Sequence, residues 1–278
     1  MKDLDLQSWV GRSEESLGTI SEETAGQLAA TFGGGTAQSG APLPNLAHWC
    51  AFTPKAPMSE LGPDGHPKLG GFLPDVGMPR RMWAGGALEF VAPLHVGSQL
   101  SRRSTITSIA QKEGAAGPMV FVTVTHELSE NGALAVREIQ DIVYLEIPDV
   151  FSPPPVKPTP TDSDLVKPTS VNEAMLFRFS AVTFNAHRIH YDLPYAKSVE
   201  KYPGLVVHGP LQAMLLIQTA TEYSNRTPRT FSFRGIHPMF HFDDLHVFGT
   251  NTENGMMLCT GLVCGHQGMQ AKIVWEDH

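Results

Sequence analysis

Two hydrophobic rhythms alternate along this chain. From Ser21 to Phe32 apolar positions recur at helical spacing, and Ser21 has the hydroxyl of a good N-cap, so the segment is predicted to be a helix. The glycine- and proline-rich stretch that follows, to about Arg81, reads as loops over a short helix. Beyond it the period changes to two. Leu88 to Val91, Thr105 to Ile109, Met119 to His126 and Ala135 to Leu145 read as strands with β-branched residues at alternate positions, and Asn131-Gly132 is a strong hairpin signal. Together they predict a half-buried antiparallel meander.

The order then recurs in weaker form. Met175 to Ser180 reads as a strand, His208 to Tyr223 as a helix, and Thr230 to Gly235, Leu245 to Thr250, Met256 to Val263 and Gln270 to Trp275 as strands, with a turn at Glu253-Asn254-Gly255. Between the two passes, Pro148 to Pro168 holds seven of the 22 prolines and reads as an extended, semi-rigid linker. The expected organisation is an N-terminal module over 1–147, a linker over 148–168 and a C-terminal module over 169–278. Helix followed by meander, twice, suggests an α+β duplication in which a curved sheet wraps a helix.

Composition narrows the function. With 278 residues and 41% hydrophobic positions the chain can bury a sizeable core. A net charge of −8 argues against nucleic acid as the main partner. The opening Met1 to Gln7 lacks the apolar run of a signal peptide, and the most apolar stretch, Leu205 to Ala220, is broken by His208, Gly209, Pro210, Gln212 and Gln218, so no membrane span is expected. Cys50, Cys259 and Cys264, an odd set without CxxC spacing, fit a reducing cytoplasm and buried, inert thiols. No GxGxxG, GxxxxGK[ST] or GxSxG occurs, which sets aside dinucleotide, P-loop and serine-nucleophile readings.

The densest polar cluster runs from Ser180 to Asp192 and includes Asn185, His187, Arg188 and His190. Imidazole takes up and returns a proton near neutral pH, so this cluster is the candidate acid–base centre. Downstream, His208-Gly209-Pro210 suits a helix entry, where unpaired backbone N–H groups can hold a carbonyl oxygen that gains negative charge. His187-x-x-His190 and His237-x-x-x-His241 have ligand-like spacing, but no HExxH glutamate and no nearby cysteine accompanies them, so no metal is expected. Arg80, Arg81 and Trp83, within Met78 to Gly86, could recognise a carboxylate or phosphate by forked hydrogen bonds, or form a solvated loop with an arginine stacked on the indole.

Phe184-Asn185-Ala186-His187-Arg188-Ile189-His190, followed by His208-Gly209, resembles the catalytic loop and helix opening of the MaoC-like, R-specific enoyl-CoA hydratases and dehydratases. Asn185 takes the place of that family's aspartate, His187 that of its asparagine and Arg188 that of its proline. Phe179 to Asp192, Arg80 to Gly85 and Gln140 to Tyr144 resemble the double hot-dog branch, whose members hydrate itaconyl-CoA or mesaconyl-C4-CoA or dehydrate 3-hydroxyacyl thioesters. The resemblance implies two tandem hot-dog modules that mimic a dimer. The N-terminal one would have lost its catalytic loop and would shape the substrate tunnel. It implies His190 as the acid–base group, Asn185 as the group that orients water, Gly209 N–H as the holder of the thioester oxygen and His187 as a second acid–base candidate. Arg81, Arg80, Trp83, His208 and Arg188 are the candidates for holding substrate, and no cofactor is expected beyond the CoA thioester itself. Itaconyl-CoA ranks first as substrate, with mesaconyl-C4-CoA next. A 3-hydroxyacyl-thioester dehydratase and a thioesterase-like acyl-CoA-binding protein are the alternatives. Cytoplasmic location and a homo-oligomer are further expectations.

Overall fold

The computed structural model describes residues 5–34, 37–114 and 117–277; the first four residues of the opening stretch fall outside them. Its N-terminal module comprises β1 (Ser13–Gly18), α1 (Glu22–Thr31), β2 (Arg80–Phe90), β3 (Leu100–Gly114), β4 (Gly117–Glu130) and β5 (Ala133–Leu145). Its C-terminal module comprises β6 (Leu165–Pro168), α2 (Glu173–Val182), α3 (Leu193–Ser198), α4 (Gly209–Ser224), β7 (Pro228–Gly235), β8 (Leu245–Thr252), β9 (Gly255–Leu262) and β10 (Gln267–Trp275). All strands join one sheet in the order β1-β3-β4-β5-β2-β7-β10-β9-β8-β6. Each neighbour is antiparallel, and the two halves meet where β2 pairs with β7. This is a double hot-dog.

Local chemistry accounts for many of the element ends. The Ser21 hydroxyl accepts from Thr24 N at 3.1 Å at the start of α1. Asn131 and Gly132 both have positive φ (52° and 82°), as a tight hairpin between β4 and β5 requires. Helix α4 opens with proline in its first turn, ends on Asn225 in the left-handed region and buries Leu211, Ala213, Leu215, Leu216, Ile217 and Ala220 against the C-terminal strands. Helix α1 of the N-terminal module packs on α2 of the C-terminal module. The short 3-10 turn Ala47–Cys50 sends His48 and Trp49 to Glu138 on β5, each at 2.9 Å.

Four expectations need correcting. Met175 to Ser180 is not a strand but the middle of α2, capped by Asn172, whose side chain accepts from Met175 N at 3.0 Å. The arginine pair does not lie in a loop, because β2 already begins at Arg80. The stretch from Pro148 to Pro168 is not linker throughout: Leu165–Pro168 forms an edge strand on β8, and Lys157 O accepts from Gln267 N at 2.8 Å. Cys50 and Cys259 are buried, and burial pushes both thiols up to about 12, but Cys264 is exposed. Among the described residues no helix is long and apolar enough to cross a membrane.

The seam between modules depends on two glycines. A Cβ at Gly85 would lie 2.6 Å from Phe233 O, and one at Gly86 would lie 2.8 Å from Ile139 O. Backbone carbonyls fixed in a ladder cannot move aside cheaply. Gly85→Ala is therefore expected to destabilise the chain by about 1–3 kcal/mol, the usual range for overpacking, read as a lower midpoint in urea. An unchanged midpoint would show that the seam gives way.

Candidate active site

The loop after α2 is built from its own backbone bonds. Thr183 Oγ1 donates to Phe179 O at 2.6 Å, Asn185 N to Ser180 O at 2.8 Å, and Asn185 Oδ1 accepts from His187 N at 3.0 Å. One 3-10 turn, Arg188–His190, leads to Asp192, which caps α3 by accepting from Tyr195 N at 3.0 Å. The Asn185 oxygen thus holds the turn. Its remaining polar group is an amide N–H₂, which is a donor and no base.

A second loop, from the N-terminal module, docks on the first. Arg188 N donates to Asp64 O at 2.9 Å and Arg188 Nη1 to Pro63 O at 3.0 Å, while the same guanidinium grips Asp192 Oδ2 at 2.7 Å. Gly65, at φ +90°, passes so close to Ala186 that a Cβ would overlap its carbonyl. Arg188 is therefore a clasp between modules, and substrate holding is not the role its contacts serve.

Four imidazoles line up where these loops meet α4. His66 and His187 have ring centroids 4.1 Å apart, His187 and His190 5.3 Å, and His190 and His208 3.6 Å with a 19° interplanar angle. The ends are tied: Asp64 Oδ2 lies 2.7 Å from His66 Nδ1, and Ser180 Oγ lies 2.8 Å from His208 Nε2. His190 Nδ1 is 2.7 Å from Val206 O. A carbonyl only accepts, so the proton sits on Nδ1 and Nε2 keeps its lone pair. Burial pushes His190 down to about 4; the Val206 carbonyl opposes this and His66 adds to it. Burial also holds His187 and His208 well below their ordinary 6.5. Three neutral rings result, and on His190 the basic nitrogen is Nε2.

Around the row stand groups whose bonding is incomplete. His208 Nδ1 is buried without a partner, the kind of orphan that marks a place for a ligand or water; the buried Tyr144 hydroxyl has the Arg81 guanidinium beside it. Arg81, beside Tyr144, His66 and His187, forms no ion pair among the described residues. Burial raises the Tyr144 phenol, and Arg81 partly offsets this. Gly209 opens α4 directly after His208, and a Cβ there would stand 3.7 Å from Trp83 O and 3.8 Å from Met269 Cε, in ordinary van der Waals contact with both. Trp83 donates its indole N–H to Gly85 O at 2.9 Å and packs on Trp49.

The structure thus gathers His187, His190, His208, Gly209, Trp83 and Arg81 in one place and turns Arg80 away. Arg80 is buried with its Nε 2.8 Å from Glu200 Oε2, and it lies over Tyr202. With its charge already matched it is not available to a substrate carboxylate, and that expectation is corrected. Sequence reasoning missed Asp64, His66 and Tyr144. Asp64-Gly65-His66 offered a signal, an acid two positions from an imidazole across a glycine, but it lay in a segment read only as loop.

A family model described as Hydroxyacyl-thioester dehydratase type 2 matches residues 46–241. The chain belongs to this family. It is 45% identical over 245 residues to a mesaconyl-C(4)-CoA hydratase of Chloroflexus aurantiacus, covering 86% of this chain and 87% of that one. It is 29% identical to the mitochondrial type 2 hydroxyacyl-thioester dehydratase of Schizosaccharomyces pombe, over 74% and 77% of the two chains. Among solved structures, a MaoC-like dehydratase from Phytophthora capsici superposes with a TM-score of 0.72 at 12% identity, over 99% of this chain and 98% of that one. HtdX of Mycobacterium tuberculosis gives 0.69 at 16%, over 94% and 99%. These two support the fold alone. Membership makes the chain a hydro-lyase, and the substrate is a separate question.

Proposed function

We propose that the protein adds water reversibly across the double bond of a short, branched, unsaturated dicarboxylic acyl-CoA. His190 Nε2 takes a proton from water as the oxygen bonds to Cβ. The electron pair of the double bond moves toward the thioester, whose oxygen is held at the Gly209 N–H, and the same imidazolium returns a proton to Cα. Held donors of this kind are worth roughly 3–4 kcal/mol in comparable sites. No resident cofactor enters the scheme.

Mesaconyl-C4-CoA comes before itaconyl-CoA in this reading, the reverse of the order taken from sequence. The 45%-identical relative is named for mesaconyl-C(4)-CoA. That thioester also has its double bond conjugated with the carbonyl, as an enolate-type route requires, with a free carboxylate on the carbon that receives the hydroxyl. Arg81 carries the proposal, being a cation beside the imidazole row that forms no ion pair among the described residues, while Asp64, the acid that feels its charge, is hydrogen-bonded to His66. A carboxylate taken out of water needs such a partner. Arg81→Ala is expected to lower kcat/KM for mesaconyl-C4-CoA about 10²–10³-fold, the scale of a broken buried ion pair, and to change that for crotonyl-CoA less than fivefold. Loss of enoyl absorbance is the measurement, and equal losses would remove the dicarboxylate assignment. Release of free CoA thiol in place of hydration would favour the thioesterase reading.

A further inference from the structure

The family resemblance leaves the N-terminal module no part in the chemistry, and position 185 has no carboxylate. Geometry points to where the replacement lies. Asp64 and His66 come from the N-terminal module, yet the His66 ring lies against His187, tilted by 39° with centroids 4.1 Å apart, and the paired side chains are only 17% and 23% exposed. Gly65 holds this loop against Ala186 in a contact that no other residue would allow.

We propose that Asp64 and His66 complete the active site across the module junction: Asp64 fixes the His66 proton on Nδ1, and the other ring nitrogen of His66 holds the second hydrogen of the water that His190 deprotonates. This inference rests on the hydration reading above. An attacking water must be oriented so that its lone pair meets Cβ, and two acceptors on its two hydrogens do this. Neutral His190 supplies one. Asn185 offers an amide N–H₂ and so cannot be relied on for the other. Asp64 Oδ2 accepts from Nδ1–H, which leaves the second nitrogen of His66 as an acceptor. Asp64 Oδ1 accepts from His66 N at 3.0 Å, so the carboxylate is anchored on both sides of the turn.

The charged and titratable groups around His66 are Asp64 on its own loop, Arg81 on β2 with Tyr144 of β5 beside it, and His187 and His190 on the C-terminal side, with His208 stacked on His190. Burial lowers His66, the Asp64 hydrogen bond opposes that, and Arg81 adds to the lowering. Asp64, His66 and His187 also bring ligand atoms within 4.8 Å of one another. A metal reading fits them poorly. Asp64 already occupies Nδ1 of His66, which leaves two imidazoles as ligands beside a guanidinium.

Asp64→Asn is the decisive variant. Its oxygen can still accept from His66 N, but its N–H₂ then faces Nδ1. That inverts the tautomer and places an N–H where the water needs an acceptor. The full-length protein is assayed with mesaconyl-C4-CoA, and the His66 tautomer is read by ¹⁵N NMR against His66→Gln for assignment. The expected result is an inverted tautomer, kcat at least tenfold lower and KM within threefold. His66→Gln should lose activity in the same way. Activity should survive dialysis against a chelator. An inverted tautomer with unchanged kcat would overturn the proposal, as would activity lost to the chelator and restored by Zn²⁺. A wild-type protein inactive on every enoyl-CoA offered would instead remove the hydration reading on which this one rests.

Discussion

Replacing His190 by glutamine is expected to lower kcat about a thousandfold, within the 10²–10⁴ that general acid–base groups contribute, while KM stays within a few-fold. Glutamine suits the test because its amide N–H can still donate to Val206 O, the acceptor 2.7 Å from Nδ1, while no basic nitrogen remains. The free enzyme also sets a pH expectation. His190 acts as a base only when neutral, and burial pushes it down to about 4. His66, lowered from 6.5, must be neutral as well. Both directions put the acid limb of kcat/KM below pH 6.5 and leave the profile flat from there to pH 8. A limb at or above 6.5 would mean that another group carries the proton, as would a glutamine variant with near wild-type turnover. Helix α4 would keep its amide at Gly209 in that variant, so a residual rate from oxygen binding alone is expected.

How much of this was legible in the sequence depended on how local the cause is. The Ser21 cap and the Asn131-Gly132 turn act within a few residues, and both stand where they were read. Residues 175–180 misled because Phe177, Arg178, Phe179 and Ser180 alternate like a strand. The buried set Leu176, Phe179, Ser180 and Val182 follows helical spacing, and Phe177 is exposed. Strand β1 went unseen since Ser13 to Gly18 carries no apolar alternation, as suits a polar edge. Arg80 and Arg81 look equivalent in sequence, but once they lie in a strand their side chains leave on opposite faces, one to Glu200 and one to the imidazole row. The motif around Asn185 to His190 was readable as a unit because a single loop holds it. The approach of Asp64 and His66 was not, because it is set by docking between two modules, and the Asp64-Gly65-His66 pattern alone does not say what it docks against.

The largest expected effect on stability lies in the N-terminal module, at Glu138. Along one face of β3, β4 and β5, Ser104 stands opposite His126 and His126 opposite Glu138. This polar layer has Leu128 and Val136 on one side and Val122, Val124 and Ile142 on the other. Glu138 is 3% exposed and accepts from His48 Nε2 and Trp49 Nε1; His126 binds Ser104 at 2.8 Å and Gln140 at 3.0 Å. Burial alone would raise the Glu138 carboxyl, but the His48 hydrogen bond, with His48, His126 and Trp49 around it, takes it below its ordinary 4.5. Glu138→Ala leaves an unpartnered indole N–H and an imidazole in a closed layer. It is expected to cost about 3–5 kcal/mol, the cost of breaking a buried pair from one side. At 2–4 °C per kcal/mol for a chain of this size, the melting temperature should fall by roughly 10 °C. The pH dependence has a definite sign. A carboxyl whose folded value is depressed stabilises the fold above its unfolded value and loses that contribution as pH falls through the folded one. The gap between wild type and Glu138→Ala should therefore be widest near pH 7 and narrow below pH 4.5. Burial also holds His126 below 6.5, so the unfolded chain binds more protons than the folded one in acid, and both proteins should lose stability as pH drops below 6.5. Thermal melts at pH 7, 5 and 4 followed by circular dichroism would show this. Equal melting temperatures at pH 7, or a gap that widens in acid, would mean that the carboxylate does not hold the layer together.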